Sequence, residues 1–109
     1  MKKLHIAIAT RDVAATIDDY SVRLGGRPCS FVDNEYALWR TPSLNFSIRY
    51  DPDAPAGELR HLGWEDPEAE SFTEEKDVNG ITWENFSADQ QAEEINSLWP
   101  QAHYFPKVI

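Results

Sequence analysis

His5-Ile6-Ala7-Ile8-Ala9 and His61-Leu62-Gly63-Trp64-Glu65 each open on a histidine and then alternate, and Ile81-Thr82-Trp83-Glu84-Asn85-Phe86 carries a lone carboxylate. Alternation marks strands, in which successive side chains point to opposite faces. His5 therefore shares a face with Ala7 and Ala9, while Leu4, Ile6 and Ile8 point the other way, into a core. His61 lies with Gly63 and Glu65, opposite Leu62 and Trp64. Glu84 lies with Thr82 and Phe86, opposite Ile81 and Trp83. Each polar residue is thus off its strand's most apolar face. Two imidazoles and a carboxylate on strands suggest a metal site, and the small alanines leave room in front of His5.

Around these strands the chain organises itself into a repeat. Thr10 or Asp12 can cap a helix whose apolar residues Val13, Ile17, Tyr20 and Leu24 recur at helical spacing, and Gly25-Gly26 ends it. Residues 28–32 and 35–40, separated by Asp33-Asn34, read as a hairpin, and 44–50 as a further strand with one apolar and one wetter face. These give a β-α-β-β-β module over residues 1–50. Residues 51–58, rich in turn formers, read as a linker. The pattern then restarts over 59–87, where His61 and Glu84 stand where the first module has His5 and Asn45. Forty positions separate His5 from Asn45 but only 23 separate His61 from Glu84, so the second copy is truncated in its helix, its middle strands or both. Residues 88–109 offer a helix and tail. Ser87 is the N-cap, Gln90 its capping-box partner and Pro100 the stop, and this helix is expected to cover the core left open by the short module. The fold class is α+β, in one domain.

Composition bounds the function. A chain of 109 residues with 41% hydrophobic content and four tryptophans can bury one core. A net charge of -9, concentrated between Asp66 and Glu94, disfavours nucleic acid and anionic membranes as partners. With no membrane-length apolar run, no signal-peptide pattern and Cys29 as the single cysteine, a cytoplasmic location is the expectation. A phosphate-binding glycine loop, a Ser-His-Asp order and a Cys-x-x-Cys pair are all missing from the sequence.

At His5, the Asp12 to Tyr20 helix, Leu24-Gly25-Gly26, Leu44-Asn45-Phe46-Ser47-Ile48, His61-Leu62-Gly63 and Asn79-Gly80-Ile81-Thr82-Trp83-Glu84, the chain resembles the vicinal oxygen chelate superfamily. That group includes glyoxalase I, extradiol dioxygenases and bleomycin- and fosfomycin-resistance proteins. Tyr36-Ala37-Leu38-Trp39 with the following strand looks most like the branch of cadmium-induced proteins and carbon–arsenic lyases. The resemblance implies a cupped mixed sheet of paired modules, with a divalent metal held by His5, His61 and Glu84. The further carboxylate of glyoxalase I would fall near Asn45 or Ser47, neither a good ligand, which argues against that activity. The cysteine pair that the carbon–arsenic lyases carry in the second module is also absent.

Two-histidine, one-carboxylate sets suit Fe(II) or another divalent ion, leaving positions open for a chelating substrate and dioxygen. The expectation is a small metal-dependent enzyme, dioxygenase-like or lyase-like, acting on a small chelating molecule. Asn45, Arg49 and Trp83 are its candidate substrate contacts, and Glu65 is a partner to His61 or an alternative ligand. Two alternatives stay open. One is a metal-free binding or sequestering protein whose cup is lined by Trp39, Trp64 or Trp83. The other is a degenerate interaction domain without catalysis. A truncated module should leave an apolar patch, so a homodimer is expected.

Overall fold

The computed structural model describes the whole chain, Met1–Ile109. Its elements are β1 (Lys3–Thr10), α1 (Val13–Arg23), β2 (Ser30–Val32), β3 (Tyr36–Arg40), β4 (Leu44–Tyr50), β5 (Leu59–Glu65), β6 (Thr73–Lys76), β7 (Thr82–Phe86) and α2 (Ala88–Leu98), followed by a 3₁₀ turn over Pro100–Ala102. Asp12 caps α1 by accepting from the Ala15 amide, and Gly25 adopts the left-handed conformation (φ 82°) just past its end. Ser87 and Gln90 close a reciprocal capping box at the start of α2.

One mixed seven-stranded sheet runs in the order β2-β3-β4-β1-β5-β7-β6. In each half the last strand lies parallel beside the first, β4 beside β1 and β7 beside β5, and the halves join through antiparallel β1 and β5. The first crossover uses α1 and two strands. The second uses β6 alone, so the shortened copy has lost its helix and one strand.

Two cores follow from this asymmetry. On one face α1 seats Val13 and Ile17 on Ala37, Trp39 and Ile48. On the other, Ala92 and Ile95 of α2 pack with Tyr104 on Val32, Tyr36 and Leu38. The last helix therefore covers the outer strands of the first half, β2 and β3, not the gap left by the short second module. Ile95 is 2% exposed, and burying such a side chain fully is worth about 1.5–3 kcal/mol, so α2 is firmly fastened to the sheet.

The faces of β1 are also reversed from expectation. Lys3, His5, Ala7 and Ala9 are buried, whereas Leu4, Ile6 and Ile8 are half-buried. The physical reason is that α2 lies over the histidine face, while no second-module helix covers the opposite one. There Leu62 and Trp83 are only half-buried and Trp64 is 38% exposed. No helix is long and apolar enough to cross a membrane.

Gly63 sits at the join between the halves, paired with His5 on one side and Glu84 on the other. A Cβ there would overlap the backbone carbonyl of Glu84. Gly63→Ala is expected to push β7 away and cost about 1–3 kcal/mol, read as a lower urea midpoint at unchanged slope.

Candidate metal centre

Sheet register assembles the three ligand candidates. His5 stands opposite Asn45 and Gly63, His61 opposite Ala7, and Glu84 opposite Gly63. Because Gly63 and Ala7 are small, nothing stands between the longer side chains. His61 Nε2 lies 3.0 Å from His5 Nε2 and 3.0 Å from Glu84 Oε1, and His5 Nε2 lies 3.8 Å from Glu84 Oε1. The three residues can offer ligand atoms that all fall within 4.8 Å of one another.

The orientation of His5 is set by its neighbours. Its Nδ1 faces two acceptors, Asn45 Oδ1 at 2.8 Å and the Asn45 carbonyl at 3.2 Å. Nδ1 must therefore carry the proton, which leaves the Nε2 lone pair directed at the cluster. Asn45 is held in turn. Its Nδ2 donates to Glu65 Oε1 (2.9 Å) and Gln91 Oε1 (2.7 Å), while Gln91 Nε2 donates back to Asn45 Oδ1 (3.2 Å). Arg40 Nε and Nη2 then grip both oxygens of Glu65 at 2.7 and 2.9 Å. The edge of Phe86 closes on the His5 ring, with centroids 4.9 Å apart.

Electrostatics fit this arrangement. Burial, and next the neighbouring His61, hold the His5 pKa below its ordinary 6.5, favouring the neutral, ligating form. For Glu65, burial pushes upward, but the Arg40 and Asn45 hydrogen bonds and the Arg40 charge together win and hold it below 4.5.

These residues fit a divalent ion. Ligands roughly 2.0–2.2 Å from such an ion stand about 3.0–3.5 Å apart when adjacent, close to the two 3.0 Å edges here. Two neutral imidazoles and one carboxylate suit a borderline metal and leave its other side to the cavity. A ring nitrogen whose partner nitrogen is fixed by an amide oxygen is the usual support for such a ligand.

The cluster forms one wall of a cavity of about 300 Å³. Tyr36, Ser47, Arg49 and Arg60 add to the sheet side, and Gln91, Glu94, Leu98 and Trp99 come from the helix side. Of the three expected substrate contacts, only Arg49 lines it. Asn45 is 0% exposed, with its amide spent on His5, Glu65 and Gln91, so it orients His5 and cannot meet a ligand. Trp83 lies on the opposite face, donates to Asp77 Oδ2 at 2.8 Å and packs beside Trp64. Trp39 is buried against α1, so none of Trp39, Trp64 and Trp83 lines the cup, whose aromatic wall is Tyr36, Phe86 and Trp99. Glu65 is spent on Arg40 and Asn45, behind His5, and is not part of the ligand cluster. His103 is exposed in the tail.

Arg60, Gln91, Glu94 and Trp99 were not anticipated. The helical spacing of Gln91 and Glu94 with Ile95 and Leu98 holds the signal for those two, once α2 is known to cross the cup. Arg60 had no such signal. No protein-family model matches the chain, and no curated protein matches it.

The Arg40 and Glu65 side chains are 4% and 6% exposed. Glu65→Gln would strand a buried guanidinium and is expected to cost about 3–5 kcal/mol. In the wild type both depressed groups take up protons more readily when unfolded. Stability should therefore decline as pH falls below 6.5, for His5, and again below 4.5, for Glu65. Urea melts across pH 3–8 should show the lower limb flattened in the variant, if it retains a cooperative transition. An unchanged limb in a folded Glu65→Gln would contradict the assignment.

Proposed function

We propose that this chain is a small metal-dependent enzyme of the vicinal oxygen chelate type. His5, His61 and Glu84 hold Fe(II) or another divalent ion, and the substrate is a small molecule that chelates the ion through adjacent oxygens. The reaction class is dioxygenase-like or lyase-like. The observation that carries this reading is the convergence of His5 Nε2, His61 Nε2 and Glu84 Oε1 at one wall of the cavity, with His5 locked in its ligating tautomer by Asn45. When bound, a divalent ion supplies Lewis-acid polarisation of the chelated oxygens.

The chain's own residues do the rest. Asn45 keeps the proton on His5 Nδ1 and the ring in place. Phe86 and Gln91 close the buried end of the cup against water. Glu94 reaches the cavity from an otherwise exposed position on α2. Partial burial of its carboxyl, and next the charge of Glu84, raise its pKa, which suits it to take a proton from the substrate. The uncovered sheet face with Leu62, Trp64 and Trp83 is assigned to a second copy of the chain, and light scattering should give a dimer mass at micromolar concentration.

Protein purified without a metal-binding tag should take up about one divalent ion per chain, measured by calorimetry and elemental mass spectrometry. His5→Ala, His61→Ala and Glu84→Ala should each lose most of that binding while keeping a cooperative melt. A wild type that binds no divalent ion would overturn the enzyme reading and turn attention to a metal-free ligand of the Tyr36, Phe86 and Trp99 wall.

A further inference from the structure

Arg60 and His61 are neighbours in β5, yet both line the cavity. Regular alternation forbids this, and the sheet register explains it: Ala7 pairs with His61 and Ile8 with Leu59, so Arg60 is the extra residue of a β-bulge. The bulge brings Arg60 onto the histidine face. Arg49 reaches the same cavity from β4, four residues along from Asn45 on the same face. Its guanidinium lies over the Trp99 ring, 5.2 Å from the centroid.

Neither arginine has an ion-pair partner within 4.0 Å or a hydrogen bond within the protein. In a chain of net charge -9, two adjacent unpaired guanidiniums facing a cavity are a specific arrangement, not a statistical residue of composition. The pair carries an electrostatic cost. Glu84 and Glu94 share the cavity but form no ion pair with either arginine. An oxyanion between the two guanidiniums would relieve the repulsion and satisfy donors suited to bidentate binding.

We propose that Arg49 and Arg60 form an oxyanion subsite at the end of the cup away from His5, so that the ligand is a small chelating molecule that also carries a carboxylate or phosphonate. Arg49 pairs with Ala9, two rungs beyond the Ala7 level of His61 and four beyond His5. At about 3.3 Å per residue the arginine backbone is roughly 7–13 Å along the sheet from the ligand cluster. A single-ring molecule spans the remainder once the arginine side chains reach inward, and the 300 Å³ cavity is of matching size. This subsite rests on the metal reading for the other end of the ligand.

The test loads the protein with Zn²⁺, which is redox-inert, and compares catechol, 3,4-dihydroxybenzoate and 3,4-dihydroxyphenylphosphonate by calorimetry and tryptophan fluorescence. At least one charged catechol should bind about tenfold or more tighter than catechol itself, and the tighter of the two identifies the oxyanion. Arg49→Gln and Arg60→Gln should collapse that ratio towards one with Zn²⁺ content and melting temperature unchanged. Arg60→Lys, which keeps charge but loses the fork, should restore part of it. Equal affinities for all three ligands in a Zn²⁺-loaded wild type would overturn the subsite and leave the metal centre standing. If the wild type takes up no metal, benzoate is titrated into the metal-free protein. Quenching lost in Arg60→Gln would then support the subsite alone, and no quenching in the wild type would overturn it.

Discussion

A buried polar chain, Arg40 to Glu65 to Asn45 to His5, is the interaction on which the other parts depend. Polar groups with no access to water must find partners, and a half-satisfied network is worse than an apolar core. Here Arg40 satisfies both oxygens of Glu65, and Asn45 uses its donors and acceptor on Glu65, Gln91 and His5. The chain binds β3, β5, β4 and β1 across the sheet and fixes α2 through Gln91. It reaches the end of the polypeptide as well. Arg40 Nη1 donates to the Lys107 carbonyl, and Lys3 Nζ to those of Thr41, Pro42 and Ile109. Only Ser21 Oγ is left as a buried side-chain polar atom without a partner, far from this network on α1.

With the network in place, the shape of the cup follows from what is small. Ala7 and Gly63 keep the centre of the sheet low, while longer residues on flanking positions rise around it. Truncation of the second module did not destroy this geometry, because β5 and β7 stay adjacent and parallel without their helix. What truncation changed is the outer face, where Leu62, Trp64 and Trp83 lack the cover that α1 gives to Trp39 and Ile48. The second half of the outer face thus lacks a helix, while the inner face still brings His5, His61 and Glu84 together.

Much of this was legible because strand periodicity is strong. Alternation placed His5, His61 and Glu84 on their correct faces, and turn chemistry bounded α1 and α2 to within a residue or two. Which face would be buried was not legible. Leu4, Ile6 and Ile8 outrank His5, Ala7 and Ala9 in hydrophobicity, yet coverage by α2 decides burial, and the docking of a helix 80 residues downstream leaves no mark on β1. The burial of Asn45 is hidden for the same reason, since its partners Glu65 and Gln91 lie 20 and 46 positions away. Arg60 escaped because a bulge breaks the two-residue period from which faces are assigned, and nothing in Glu58-Leu59-Arg60-His61 announces one.

The two rims of the sheet govern how one copy can meet another. β2 has only three residues, and β6, Thr73-Glu74-Glu75-Lys76, is exposed along its whole length. A short rim offers few free backbone groups. A rim bearing adjacent carboxylates would set like charges against each other if two copies tried to extend their sheets into one. Continuous ribbon growth of the kind that leads to fibres is thereby discouraged at both ends. The broad side that carries Leu62, Trp64 and Trp83 has neither of these impediments.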